Sequence, residues 1–393
     1  MAKFIESVKK IKPCDFTIVI LVMILVIFGV VMVFSASYYK SLNDTGSPFG
    51  YLERQLFFAI TGFFIMYFMS IIDYHIIRQL SLLLMGISLV LLLLLFTPLG
   101  YTVNGATRWI VLGPLRIMPG EVAKIAVIAF VAAFLAKDPK RVLSLKDGIL
   151  PLFGVALVFG GLIAKQPNLS TAITVVGIII GMMFLAGLQW KYIIGMLVIG
   201  GGGLLAISQT GTYWARRLTS FTNPFADPLG DGYQVVQSLL ALGTGGLFGL
   251  GLGKSVQKNL YLPEPQNDFI LAIIGEELGL VGIILLLIVF AVLIWRCFVI
   301  TMNAPDRFGM LLSGGITLMI GIQVILNVAV VTSSMPPTGI ALPFVSYGGN
   351  ALWIFMGSAG VVLNVSRRSG RVKAAAPEKI RRSLRTRHNG GRA

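Results

Sequence analysis

Charge is scarce in this chain. Only 12% of its 393 residues are charged while 56% are hydrophobic, and apolar runs recur that can each cross a bilayer core of roughly 30 Å, about 20 helical residues. Alternation is also lacking: the runs are continuous rather than period-two, which excludes a membrane barrel and leaves helices as the structures that satisfy their backbone in lipid. Cysteine is nearly absent. Cys14 and Cys297 both fall near predicted cytoplasmic helix ends, so neither a disulfide framework nor a metal cluster is implied. No small-residue cleavage site follows the first run, which reads as a retained helix and not a removed signal peptide.

What is present is an all-α polytopic membrane protein. Ten spans are expected, at residues 16–37, 56–72, 77–98, 119–136, 149–164, 170–188, 192–208, 268–299, 308–331 and 350–365, which puts both termini on one side. Most of the 32 Lys and Arg fall on that side, including Lys9, Lys10, Lys140, Arg141 and the cluster after Asn364, so the termini are expected in the cytoplasm. The net charge of +16 then reads as orientation and attraction to anionic lipid, with no nucleic-acid partner. The chain divides into a transmembrane domain, 1–366, and a basic, aromatic-free cytoplasmic tail, 367–393, expected to be disordered. The long loop is 209–267, between helices seven and eight, outside the cell and too long for a simple connector.

The chemistry-bearing residues gather in the external segments. Arg108 and Trp109 precede Arg116 and the run Pro119-Gly120-Glu121-Val-Ala-Lys124. Pro119 suits a first helical turn, and the positive dipole end beside Arg116 is a place for phosphate. Glu121 and Lys124 share a helix face; either they neutralise each other or they meet a substrate. Trp109 is either an interfacial belt anchor or a substrate contact. Lys165, in the short turn Lys165-Gln166-Pro167-Asn168, can hold a phosphate, while Asn168 or Ser170 can cap the next helix. The glycine-rich run 243–253 follows no strand, which excludes a nucleotide loop and favours close packing. Asp268 stands where a polar loop becomes a helix. With Asn267 as cap the dipole would keep it ionised, a ready base. Glu276 and Glu277 lie deeper, as structural pairs or second-site candidates, and residues 336–350 form a broken element that must line a cavity or pack on protein.

The order Asn104-Gly105…Arg108-Trp109, Pro119-x-Glu121-x-x-Lys124, Lys165-Gln-Pro, Asn223-Pro-x-x-Asp227-Pro, Leu262-Pro-Glu264…Asp268-Phe, Glu276-Glu-Leu-Gly279 and Leu342-Pro-Phe-Val-Ser346-Tyr347-Gly-Gly349 resembles the SEDS family of bacterial wall synthases up to about Arg367. Gly275-Glu-Glu-Leu-Gly279 and Asn327-Val-Ala-Val-Val-Thr332 look like its FtsW and SpoVE branch, which favours division or sporulation over elongation. The resemblance implies a peptidoglycan glycosyltransferase at the outer face of the cytoplasmic membrane. It would polymerise lipid II beside a class B penicillin-binding protein transpeptidase and other divisome proteins. It also implies Asp268 as catalytic base, with Arg108, Trp109, Glu121, Lys124, Lys165, Glu264, Ser346 and Tyr347 on the substrate. No organic cofactor is implied, and a divalent cation, Mg or Mn, could assist; its ligands are not defined by the sequence. The chain departs from the family pattern at Gln266-Asn267, Asn168, Gly120 and Asn350. Asn168 lacks the carboxylate the family carries there, which puts a metal or base role at that position in doubt. Two rival readings remain, a lipid II flippase and a non-catalytic division scaffold. The flippase is disfavoured because no pair of corresponding interrupted helices suggests an inverted repeat.

Overall fold

The computed structural model describes residues 14–103, 106–112, 115–208, 221, 223–230 and 232–389. The motif residues Asn104 and Gly105, and Tyr213, Trp214, Arg216 and Arg217 of the long loop, lie outside the described residues. In chain order the helices are α1 (Phe16–Thr45), α2 (Gly50–Ile71), α3 (His75–Leu94), α4 (Pro119–Lys137), α5 (Leu150–Lys165), α6 (Leu169–Leu185), α7 (Trp190–Ser208), α8 (Tyr233–Gly245), α9 (Ile270–Met302), α10 (Arg307–Val331) and α11 (Gly349–Asn389). Among the described residues eight helices are long and apolar enough to cross a membrane. At the places expected for spans six and seven stand shorter apolar helices, α6 and the stretch Trp190–Gly202 of α7. The basic tail expected after Arg367 falls almost wholly beyond the described side chains, which end at Ser369.

Lipid exposure sorts the helices. The apolar windows of α4, α10 and α11 are 67%, 61% and 61% buried, against 22% for α3 and for α9, so the first three form the inner wall and the others turn leucines and phenylalanines to lipid. Helix α11 packs along α2, α3 along α4, and α10 contacts α4, α6 and α9. One end of the bundle is pinned by charge. Asp15 caps α1 through the Thr17 amide and receives Arg296 from the end of α9; Arg368 of α11 reaches Asp73 at 2.8 Å; Asp306 caps α10 through the Gly309 amide.

The opposite end departs from the expected loops in three places. Residues between α3 and α4 form a three-stranded antiparallel sheet, β1 (Gly100–Val103), β2 (Ala106–Leu112) and β3 (Leu115–Ile117), in the order β1-β2-β3. The β-branched residues Thr107, Ile110 and Val111 suit such a surface, and Tyr101 pairs with Trp109, Val111 with Arg116. The long loop 209–267 contains α8, which packs on α9. The third difference is in α9, expected as one continuous span from Asp268: the helix breaks at Gly279, whose φ of 68° and ψ of −171° are not helical.

That break is stitched from outside. Leu250 and Gly251 donate their amides to the carbonyls of Glu276 and Glu277 at 2.9 and 3.0 Å, and Leu280 and Val281 donate to Gly246 and Leu247 at 2.9 and 3.1 Å. Backbone groups freed at a helix break in a membrane protein need such partners. A Cβ at Gly249 would stand 2.2 Å from the Glu277 carbonyl oxygen, so the glycine-rich run packs closely, as its composition suggested. Both glutamates are structural, Glu277 as an ion pair and Glu276 as an acceptor of backbone amides. Glu277 receives Lys258 at 2.9 Å and the Ser35 hydroxyl of α1 at 2.7 Å, and Glu276 accepts the Val256 and Gln257 amides at 3.0 and 3.3 Å. Both are 0% exposed, a placement tolerable because every charge there has a partner.

Candidate active site

Asp268 sits at the end of the bundle that carries the sheet. The first turn of α9 begins at Ile270 after Phe269, with no side-chain cap, so Asn267 is not the N-cap the sequence suggested. Its amide instead donates to Glu264 at 2.7 Å. What fixes Asp268 is α10: the Asn327 side-chain amide donates to the Asp268 carbonyl at 2.9 Å and to the Ile340 carbonyl at 2.7 Å. One buried side chain thus ties the segment before α9 to the broken element 332–348.

That element brings Gly339 beneath the aspartate. Gly339 has φ of +71°, and a Cβ built there would lie 2.9 Å from a guanidinium nitrogen of Arg108 and 3.1 Å from a carboxylate oxygen of Asp268. The expected base and the expected cation therefore share one small space, bounded by a residue that glycine alone fits without strain. Arg108 also donates to the Pro167 carbonyl, which draws the turn holding Lys165 to the same place. Alternation along β2 turns Trp109 to the face opposite Arg108, toward its cross-strand partner Tyr101, and Arg116 lies 5.7 Å over the Tyr101 ring. Lys165 is exposed, 5.5 Å over the Phe96 ring. It lines a cavity of about 350 Å³ with Thr97, Thr102 and Thr107. A larger hollow, about 720 Å³, lies on the apolar face of α3 around Leu82, Leu83 and Ile87; it holds no charged group and belongs to the lipid-facing surface.

Other predicted residues support the site from behind. Lys124 donates to Glu121 at 2.7 Å and to Gln323 of α10 at 2.8 Å, lies 5.3 Å from the Phe355 ring and is 1% exposed. Of the two alternatives open for the pair, the structure takes mutual neutralisation and leaves Lys124 no open face for a phosphate. Gln323 then donates to the Ala341 carbonyl at 3.1 Å, one residue from the carbonyl that Asn327 holds. Glu264, with φ of +50°, is occupied by Lys40 of α1 and by the Gln266 and Asn267 amides, so its carboxylate shapes the approach to Asp268. The Ser346 hydroxyl accepts the Leu342 amide at 2.7 Å, closing a turn. The Tyr347 amide donates to the Gln266 carbonyl at 2.9 Å and its ring meets Tyr51 edge-on at 5.0 Å. Asn168 caps α6 by accepting the Thr171 amide, while Ser170 bonds Thr338.

Sequence reading missed Lys40, Gln323 and Asn327 as parts of this assembly. A signal existed: Gln323 and Asn327 are polar residues four apart in an otherwise apolar span, and such residues face a partner or a cavity.

The chain matches the cell cycle protein family of FtsW, RodA and SpoVE over residues 15–371. It is 43% identical over 364 residues to stage V sporulation protein E of Bacillus subtilis, covering 92% of this chain and 99% of that protein. It is 39% identical over 361 residues to a probable peptidoglycan glycosyltransferase FtsW of Geobacter sp., covering 92% and 98%. Among solved structures, a chain of a peptidoglycan synthase complex that coordinates polymerization and crosslinking superposes with a TM-score of 0.76 at 27% identity, covering 91% of this chain and 98% of that one. RodA of Thermus thermophilus gives 0.67 at 28%, covering 90% and 97%. With the family match extending from the start of α1 into α11, this multi-pass membrane protein belongs to the FtsW, RodA and SpoVE family of cell cycle proteins.

Proposed function

We propose that the chain is a peptidoglycan glycosyltransferase of cell division or sporulation. It polymerises lipid II at the outer face of the cytoplasmic membrane in complex with a class B penicillin-binding protein and other divisome proteins. The relatives' names and the synthase complex support the activity and the partner. The observation that carries the site is the meeting of Asp268 and Arg108 over Gly339, at the bundle end opposite the one holding the termini. The basic segment 367–393 would then be a separate cytoplasmic tail drawn to anionic lipid.

In this reading the Asp268 carboxylate takes the proton from the acceptor sugar hydroxyl. The hydroxyl oxygen bonds to the anomeric carbon of the donor as the bond from that carbon to the pyrophosphate oxygen breaks. The electron pair leaves with the lipid pyrophosphate, and a single displacement inverts the anomeric centre. Arg108 and the exposed Lys165 are the cations placed to offset the departing negative charge. Among the described residues no three Asp, Glu, His or Cys side chains group into a metal cage. Were Mg or Mn to assist, Asp268 is the carboxylate that would hold it. Such a cation would supply further neutralisation of the pyrophosphate. Glu264, Ser346 and Tyr347 act by shaping the entry, and Trp109 faces away as an interfacial anchor. The buried charges Glu121, Lys124, Glu276, Glu277 and Lys258 all have partners, which favours a rigid scaffold over a transport path.

The test is polymerisation of labelled lipid II by the purified protein with its penicillin-binding partner. Asp268→Asn should abolish glycan strands while expression and co-purification persist. A normal chain-length distribution from that variant would sink the assignment.

A further inference from the structure

The glycine-rich segment before Lys254 combines two properties that water-facing loops do not combine. Its side chains are apolar and turned outward: Leu247, Phe248, Leu250 and Leu252 are 61%, 80%, 41% and 57% exposed, and no charged residue occurs from Tyr233 to Gly253. Its backbone, by contrast, is largely spoken for. The amides of Gly249, Leu250 and Gly251 donate to the Gly245, Glu276 and Glu277 carbonyls, and the Gly246 and Leu247 carbonyls accept from Leu280 and Val281. Glycines at 246, 249, 251 and 253, all at positive φ, let the chain curl tightly enough to do this. Polar backbone satisfied inside and apolar side chains outside is the arrangement hydrocarbon demands.

The position agrees. Leu247 is hydrogen-bonded to Val281, at the start of the lipid-crossing part of α9, where Leu280, Val281, Ile284 and Leu285 are themselves 41–59% exposed. The patch continues the lipid-facing surface of that helix. Lys254, exposed at the edge of the patch, is placed to reach the phosphate layer.

We propose that residues 246–253 are an interfacial wedge lodged in the hydrocarbon edge of the leaflet opposite the termini, with the acyl chains of that leaflet as its partner. The wedge clamps the Gly279 break and so sets the depth of the Ile270–Leu278 segment that follows Asp268. The inference does not depend on the reaction proposed above.

It is tested on the full chain in phosphatidylcholine nanodiscs containing lipid spin-labelled near the headgroup end of the acyl chain. Cys14 is replaced by serine, and Cys297, 1% exposed, stays in place. An environment-sensitive fluorophore is attached at Phe248→Cys, with Leu285→Cys as lipid reference and Asn43→Cys, at the exposed end of α1, as aqueous reference. The Phe248 probe should emit to the blue of the Asn43 probe and be quenched by spin-labelled lipid about threefold more strongly, with aqueous iodide giving the reverse order. Leu252→Cys carries the same expectation if the first variant does not fold. Iodide quenching at these positions equal to that at Asn43 overturns the proposal, including in favour of a surface kept for a protein partner.

Discussion

The Glu121–Lys124 pair makes the sharpest test of how the site is held. Lys124→Met keeps the length of the side chain but strips a buried carboxylate, 5% exposed, of its 2.7 Å partner and leaves the Gln323 oxygen without its 2.8 Å donor. Removing one member of a buried ion pair costs about 3–5 kcal/mol, and an orphaned buried acceptor about 1–3 kcal/mol; the two overlap, so about 4 kcal/mol is the expected loss. That should lower the melting temperature by several degrees for a chain of this size, on the order of 5 °C or more. Glu121→Gln combined with Lys124→Met removes the uncompensated charge and should recover most of the stability, because the penalty belongs to the partner left behind. Differential scanning fluorimetry in detergent measures all three proteins, alongside lipid II binding. The reasoning fails if Lys124→Met melts with the wild type yet loses lipid II affinity, since the ammonium would then be contacting substrate instead of Glu121.

Three further outcomes follow from the same geometry. Gly339→Ala must place a Cβ 2.9 Å from Arg108 at φ of +71°. It should cost about 1–2 kcal/mol of stability and a larger share of polymerisation rate, with lipid II binding as the control. Asn327→Asp keeps shape but loses the donor shared by the Asp268 and Ile340 carbonyls, and it should depress kcat more than apparent KM; an unchanged kcat would remove Asn327 from the positioning of Asp268. At the other end, the Asp73 carboxyl is held below the usual carboxylate range: burial pushes it up, but the His75 amide and ring and the Arg368 guanidinium outweigh that. A depressed folded pKa gives stability that is present above the ordinary value of 3.8 and lost as pH falls through the folded value. Acidification below about pH 4 should therefore lower the melting temperature of the wild type more than that of Asp73→Asn.

The membrane-spanning helices were legible because lipid makes a one-dimensional demand, a long apolar run, that any window of sequence displays. The sheet 100–117 was not, since its strands are short and interrupted by segments that read as loop. The break at Gly279 escaped for a different reason. Gly275-Glu-Glu-Leu-Gly279 is compatible with continuous helix, and what breaks it is a partner over twenty residues upstream, the run around Gly249, whose amides replace the lost helical bonds. Motif and placement single out Asp268 and Arg108, and the structure brings the two side chains together at Gly339. The family resemblance puts Lys124 and Glu264 on the substrate. The partners Glu121, Gln323 and Lys40 come from three helices, and no spacing rule brings α1 and α10 to those positions.

In the proposed reading, a base that must act at one point on a lipid-linked sugar gains from being held by backbone. Asp268 is fixed through its own carbonyl by Asn327, through the Gln266 carbonyl by the Tyr347 amide, and by the Glu264 turn that Lys40 anchors. These contacts hold backbone around Asp268, while its carboxylate meets Arg108 at Gly339, so placement falls to backbone and charge to the side chains. The departures from the family pattern fall where this division allows them. Gln266 and Asn267 donate their side-chain amides to Glu264, so neutral amides meet what the position asks. Asn168 keeps a capping oxygen for α6, which a carboxylate there would supply no better. On that reading, chemistry concentrated in Asp268 and its cations, with the surrounding polar residues spent on holding backbone, should tolerate those changes and should not tolerate loss of Asn327, whose amide holds both carbonyls.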